Sequence, residues 1–439
     1  MIRRVPAVLA LTLLALLALL AAAASAAAQD NAALPPAGSA QAPVIWTLSD
    51  VVDVALKNHP LIKQAEADVA AAVARKGQAR SAWYPDVSLS TGYSRYRAYS
   101  SSTKLSTTTE NDFLRGDLGW TLYDFGRTGA AVDRADALAA LSRENAATTR
   151  EDVVFDAKVA FYNVLRAENT LEFQQRNVGQ RETLLRQAQA FYETGVRARI
   201  DFVRAEANLY DSRALLGQAR NELRVARIIL LQRMGLDISS EFILRGDFDE
   251  SVLPGSLPEW IEEAHRNRPE LRALLEKERG AAESLRLARA GYRPYIEGGA
   301  GYGYAADDFP LKQNYSVGVT LSQPVFSGFL TREQVREAEA TLSSVRHEIT
   351  EMRRRVRLEV ERSAYSVQEA GERLAARRKQ REAAEENLRL ATARYEVGAG
   401  DIIEMTDAQT QMVSADTETV NSAFDYAVSK ASLLRAMGR

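Results

Sequence analysis

Three histidines (His59, His265 and His347) and no cysteine are all that the chain offers in the way of imidazole or thiol chemistry. The histidines lie in separate segments, with none of the spacings that hold a zinc ion. The glycines at 298, 299, 301 and 303 fall in a strand pattern and do not form the strand-to-helix turn that cradles phosphate. No catalytic residue, cofactor site or metal site is expected, and no enzymatic activity. What remains is charge. Glu404 and Asp407 stand three residues apart, so on a helix they share one face. Spacing alone makes that an ordinary solvated face.

The elements that carry these residues start with an export signal. Arg3 and Arg4 precede an apolar run from Val5 to Leu20, and Ala26-Ala27-Ala28 supplies a small-residue cleavage site. Residues 1–28 read as a signal peptide and 29–45 as a flexible linker rich in Pro, Gly and Ala. With no cysteine, the exported chain folds without disulfides and carries no lipid on an N-terminal Cys. A formal net charge of −2 gives no reason to expect nucleic acid as a partner. No later segment reaches the ~20 consecutive apolar residues of a membrane helix, so any span must be made of strands.

The remainder is written twice, as residues 46–256 and 257–439. Asn58-His59-Pro60 matches Asn267-Arg268-Pro269, Tyr192-Glu193-Thr194-Gly195 matches Tyr395-Glu396-Val397-Gly398, and Met234-Gly235 matches Met437-Gly438. A repeat this long indicates a duplicated half-structure rather than a solenoid. Each half reads helix, strand, strand, very long helix, return helix. The first helices run from about Leu48 to Ala82 and from Leu257 to Gly291; the long ones run from about Ala130 to Thr194 and from Arg332 to Val397. At 1.5 Å per residue the long helices extend ~100 Å. Sevenfold spacing of Val164, Leu171, Val178, Leu185 and Tyr192, echoed by Val367, Leu374, Arg381, Leu388 and Tyr395, indicates a coiled coil. Phe202, Leu209, Leu216, Leu223 and Leu230 continue it on the return helix, with Ala188, Ala205, Ala219 and Ala226 allowing close approach. Gly195 and Gly398 suit the left-handed residue that ends a helix. The charged runs at 351–362 and 373–386 read as solvent faces or tunnel lining.

Four segments alternate with period two: about 85–97, 112–123, 293–305 and 313–323. Apolar residues such as Val87, Leu89, Leu118, Trp120, Val317 and Val319 alternate with Ser, Gly and charged residues, the weak signature of an outer-membrane strand. Soluble hairpins packed by one face are the competing reading. Four strands cannot close a barrel, and lipid does not tolerate an open sheet edge. Spanning strands therefore have to be pooled among several protomers. The Ser/Thr stretch from Ser100 to Asp112 reads as a solvated loop at the far end, and Ala305 to Gln313 as a shorter one.

At Ala55–Pro60 (ALKNHP), Leu122–Arg127 (LYDFGR), Ser322–Gly328 (SQPVFSG) and Tyr395–Gln409 (YEVGAGDIIEMTDAQ), the whole mature chain resembles the TolC family of outer-membrane efflux and secretion ducts. The resemblance implies a mainly α fold with a small β part: a trimeric, twelve-stranded outer-membrane β-barrel continued by a periplasmic α-helical coiled-coil barrel. It implies an exit duct fed by an inner-membrane pump, of RND or ABC type, through a periplasmic adaptor. It also implies roles for particular residues. Glu404 and Asp407 would line the constricted entrance as an acidic ring, Asp201 and Tyr395 would tie the entrance shut, and the hairpin tips at Gly195, Val196, Gly398 and Ala399 would meet the adaptor. The sequence departs from the family at Gly400, where a basic partner is expected. Arg197 or Arg199, or hydrogen bonds of Tyr395 alone, are then left to hold the entrance. Core packing is the plainer reading of Tyr395.

Two other classes compete. A periplasmic adaptor or coiled-coil scaffold also has long helical hairpins, but it lacks two pairs of lipid-compatible strands. A general porin supplies a whole barrel from one chain and has little use for such helices.

Overall fold

The computed structural model describes residues 44–102, 104–237, 242–306 and 310–439. The expected signal peptide and nearly all of the expected linker lie outside them. At the linker's end, Val44 and Ile45 are strand instead: β1 (Val44–Trp46) pairs with β4 (Phe242–Leu244), and Trp46 stacks on Phe242 at 5.0 Å.

Helix α1 (Leu48–Asn58) opens with a capping box in which Thr47 and Asp50 satisfy each other's backbone N–H groups. The expected single helix to Ala82 is broken in two. Pro60 has no N–H to donate and its ring forces the preceding residue out of the helical region, so His59 sits at ψ 127°. His59 Nδ1 then accepts from Leu61 N at 3.2 Å and starts α2 (Pro60–Ser81). Arg268 and Pro269 break the second copy the same way, into α5 (Leu257–Asn267) and α6 (Pro269–Ala290).

The long helices α3 (Arg127–Glu193) and α7 (Leu330–Glu396) have 67 residues each, and α4 (Arg199–Met234) and α8 (Ile402–Ala436) return from them. Strands β2 (Asp86–Ser100), β3 (Leu105–Tyr123), β5 (Tyr295–Ala306) and β6 (Lys312–Ser322) form one antiparallel sheet in the order β2-β3-β5-β6. The Ser/Thr stretch expected as a loop is strand for most of its length. Ser94 to Ser100 pair with Asn111 to Leu105, so the β2–β3 hairpin runs seven pairs beyond the last β3–β5 pair, Asp112 with Ala306.

Three tiers repeat one order. The strands lie β2-β3-β5-β6. Behind them α2 packs on α3, α3 on α6 and α6 on α7; farther along, α4 packs on α3, α3 on α8 and α8 on α7. Every tier therefore ends in an open edge, β2, α2 or α4 on one side and β6 or α7 on the other. These edges carry exposed apolar side chains, among them Leu89 (78 %), Tyr210 (60 %), Val317 (81 %) and Leu358 (64 %).

The core is thickest around α3, where Phe161, Tyr162, Val164 and Leu165 are all buried because helices surround them. Below that level the seam leaves the expected heptad. Phe173, Gln174, Asn177, Arg181, Leu184 and Ala188 are the buried residues, while Val178 and Leu185 flank them and Tyr192 is 43 % exposed. Ala205, Ala219 and Ala226 are buried as expected. In the second half Arg381, at a heptad position, is ion-paired with the buried Asp416 at 2.6 Å. Among the described residues no helix is long and apolar enough to cross a membrane.

Candidate functional site

Two places gather the functional residues: the hairpin tips and the faces of the sheet. At the tips both long helices stop in the same way. Gly195 (φ +72°) and Gly398 (φ +77°) take the left-handed conformation, and the carbonyls of Phe191 and Arg394 each accept two backbone N–H groups from the turn that follows. A side chain at either glycine would meet no neighbour, so glycine is needed there for backbone conformation. Gly195, Val196, Gly398 and Ala399 are all exposed.

Behind the tips lies a small core of Leu184, Ala188, Ala205, Ala391, Tyr395, Ile402, Met405 and Ala408, drawn from both hairpins. Tyr395 is 1 % exposed and meets Phe191 edge-on at 6.0 Å. Its hydroxyl is buried without a hydrogen-bond partner. Burial raises its pKa, the charge of Asp201 raises it further, and Arg197 opposes both. Asp201 therefore lies within electrostatic reach of Tyr395, but among the described residues of the protomer the two are not hydrogen-bonded.

Toward this end of the helices, two arginines among the described residues join the hairpins by hydrogen bonds: Arg181, farther from the tips, whose Nη2 donates to Thr410 Oγ1 at 2.9 Å, and Arg197 at the tips. Arg197 Nη2 donates to the carbonyl oxygens of Gly400, at 2.5 Å, and Gly398, at 3.3 Å, and its guanidinium lies 5.8 Å from the centre of the Tyr395 ring. The acceptors lie just past the C-terminus of α7, where the helix dipole favours a cation. The repeat held the signal for this residue, since Arg197 is the first-half equivalent of Gly400. Gly400 itself is buried, and a β-carbon there would press within 3.2 Å of Arg394 and the Tyr395 backbone.

Asp401 caps α8 by accepting from Ile403 N and Glu404 N. Glu404 and Asp407 follow on the exposed face of α8, one turn apart. Arg394 Nε comes within 3.6 Å of Glu404. Neither carboxylate belongs to the apolar core.

The sheet separates two chemistries. Register places Leu89, Leu114, Leu118, Trp120, Tyr302, Tyr304, Val317 and Val319 on one face, and Ser88, Ser90, Arg115, Asp117, Gly301, Gly303, Asn314 and Ser316 on the other. The apolar face is uncovered in the protomer. Beyond Tyr93 it turns polar, with Arg95 paired to Glu110 at 3.3 Å. An apolar band bounded by aromatic residues on one face, with a polar face behind it, is the architecture of a membrane β-barrel wall.

Residues 51–236 and 260–439 match the outer membrane efflux protein family. The chain belongs to that family. It is similar to the protein CyaE of Bordetella pertussis, at 26 % identity covering 94 % of this chain and 91 % of that one. It is 24 % identical to the outer membrane protein TolC of Vibrio cholerae, covering 90 % and 91 % of the two chains. Among solved structures, the fold matches the Campylobacter jejuni CmeC outer membrane channel with a TM-score of 0.80 at 16 % identity, covering 93 % and 94 % of the chains. It matches the outer-membrane channel OprN with a TM-score of 0.79 at 20 % identity, covering 89 % of each. As a member of the outer membrane efflux family, the chain is an outer-membrane exit duct, with its strands in the membrane and its helices in the periplasm.

Proposed function

We propose that this duct works as a homotrimer, carrying cargo from an inner-membrane pump through a periplasmic adaptor to the exterior. The observation that carries the assembly is the open edge shared by all three tiers. A four-stranded sheet with an uncovered apolar face and two unpaired edges cannot rest in lipid. Pairing β2 of one copy with β6 of the next closes the strands, and the same rotation brings α4 against α7, covering Tyr210 and Leu358. Closure puts the apolar face in lipid and the polar face in the lumen. The hairpin tips then form the inner end, where Gly195, Val196, Gly398 and Ala399 meet the adaptor and Glu404 and Asp407 contribute to an acidic ring. Crowded carboxylates attract cations, so the entrance passes cations first.

Planar-bilayer recording of the purified trimer tests this reading. Small cation-selective steps are expected. A folded, outer-membrane-extracted trimer without conductance would overturn the duct and favour a scaffold.

A further inference from the structure

On the polar face of the sheet, side chains line up in rows across the four strands. One row is Ser88, Asp117, Gly301 and Ser316; the next is Ser90, Arg115, Gly303 and Asn314. Arg115 does not stand up from the sheet. Its Nε is 2.6 Å from Asp117 Oδ1, and its Nη2 reaches 3.4 Å from Ser316 Oγ, two strands away. It crosses β5 over Gly301, where a β-carbon would lie 2.6 Å from Nη2 and 3.0 Å from Asp117 Oδ1. The missing side chain at Gly301 is the trough that lets the guanidinium lie flat. At Gly303 a β-carbon would fall 2.3 Å from the Leu114 carbonyl, so that wall is bare for a separate reason.

Among the described residues, the other charged groups on this face over the four-stranded part are Asp86 and Glu297 toward the helices and Lys312 toward the far end. The wall thus runs from acidic to basic, and Arg115 sits at the crossover, where it neutralises Asp117. Both members of the pair remain accessible, with side chains 48 % and 38 % exposed.

We infer that Arg115, laid along the wall by Gly301 and paired with Asp117, sets the electrostatic potential inside the β-barrel and so acts as a second ion-selectivity element, separate from the acidic residues of the helical tips. Without Arg115 the described wall of each protomer would present three carboxylates, Asp86, Asp117 and Glu297, against one cation, Lys312. With it, charged cargo of either sign meets a nearly neutral wall at mid-barrel, while the bore keeps its full width because the long side chain does not project.

This inference rests on the barrel reading above, and the test separates the two. The chain contains no cysteine, so a single introduced thiol is a clean reporter. Ser88→Cys stands in the same row as Asp117 and Gly301, so the guanidinium lying over Gly301 is two strand spacings away, roughly 10 Å. A unit charge at roughly 10 Å in water is worth about 0.7 RT. Cationic and anionic methanethiosulfonate reagents, added outside intact cells, approach from the far end and bypass the periplasmic entrance. On Arg115→Ala each reagent's rate should change about twofold, in opposite directions, so the cation-to-anion ratio rises by about fourfold. Arg115→Lys keeps the charge and should keep the ratio, whereas Arg115→Gln should follow the alanine variant, with SDS-resistant trimers verifying assembly in each. A reactive Ser88→Cys whose ratio is unchanged in both Arg115→Ala and Arg115→Gln overturns the inference and leaves the barrel standing. An unreactive Ser88→Cys beside a reactive Leu89→Cys, on the apolar face, overturns the barrel orientation and the inference with it.

Discussion

Replacing Arg197 by alanine removes both hydrogen bonds from the first hairpin to the Gly398 and Gly400 carbonyls of the second. Hydrogen bonds from a charged donor contribute about 1.5–3 kcal/mol each when sheltered. One of these is exposed and the other only part-buried, so solvent competition brings the pair to ~1 kcal/mol per protomer. That is about fivefold in an equilibrium, and on the order of a hundredfold if three protomers open together. Arg197→Ala should therefore move the purified trimer from small steps to frequent larger openings in a planar bilayer. Arg197→Lys, whose shorter side chain keeps the charge but not the reach of Nη2, should lie between. Arg199→Ala, at an exposed neighbouring position, should leave conductance unchanged. Because the acceptors are backbone carbonyls with no proton to gain, this tie should persist as pH falls from 7 to 5. Identical conductance in Arg197→Ala and the parent trimer would refute the reasoning, as would loosening by Arg199→Ala to the same extent.

Replacing Glu404 and Asp407 together by alanine should weaken cation selectivity and block by multivalent cations, read as a reversal-potential shift in a salt gradient; unchanged selectivity would remove them from the entrance. Gly398→Val forces a β-branched residue into φ +77° and should cost about 1–2 kcal/mol at the tip. It should also lower adaptor cross-linking and export, and normal values for both would show that the tip does not dock. Glu151, in α3, is pushed up to about 7, chiefly by burial and then by the charge of Glu270, with Asp152 adding and Arg268 and Arg272 opposing. A carboxyl whose folded pKa is raised adds stability that is full below its unfolded value near 4.5 and is lost as pH rises through 7. Glu151→Gln should accordingly stabilise the trimer at pH 8 by about 1–2 kcal/mol, discounted because the group is only partly buried, and flatten the change in melting temperature between pH 5 and 8; a parallel pH dependence in the variant would count against this.

The duplication, the two long hairpins and the two-faced strands could be read in the sequence because each rests on a period that survives exposure to solvent. What could not be read has equally physical causes. The seam through Gln174, Asn177 and Arg181 is polar, so the apolar heptad in the sequence runs through the flanking Val178 and Leu185. The outer half of the β2–β3 hairpin lies past the apolar band, where both faces are wet and alternation is lost. Thr107, Thr108 and Thr109 therefore looked like loop, although β-branched residues favour strand. The helix breaks at His59 and Arg268 were written in the two prolines that follow them. Arg197 could be named beside Arg199 as a candidate tie, but its acceptors are main-chain carbonyls, which leave no mark in the residue types.

The two long helices have the same number of residues, 67, although the halves around them differ in length elsewhere. That equality keeps the duct's foot level. One heptad inserted into α3 and α4 but not into α7 and α8 would drop one hairpin about 10 Å below the other. In a three-chain ring the rim would become alternately long and short, and no planar partner could seal against it. The helices act as matched rulers, so a lineage adapting to a wider or narrower gap between its membranes has to lengthen or shorten both copies together.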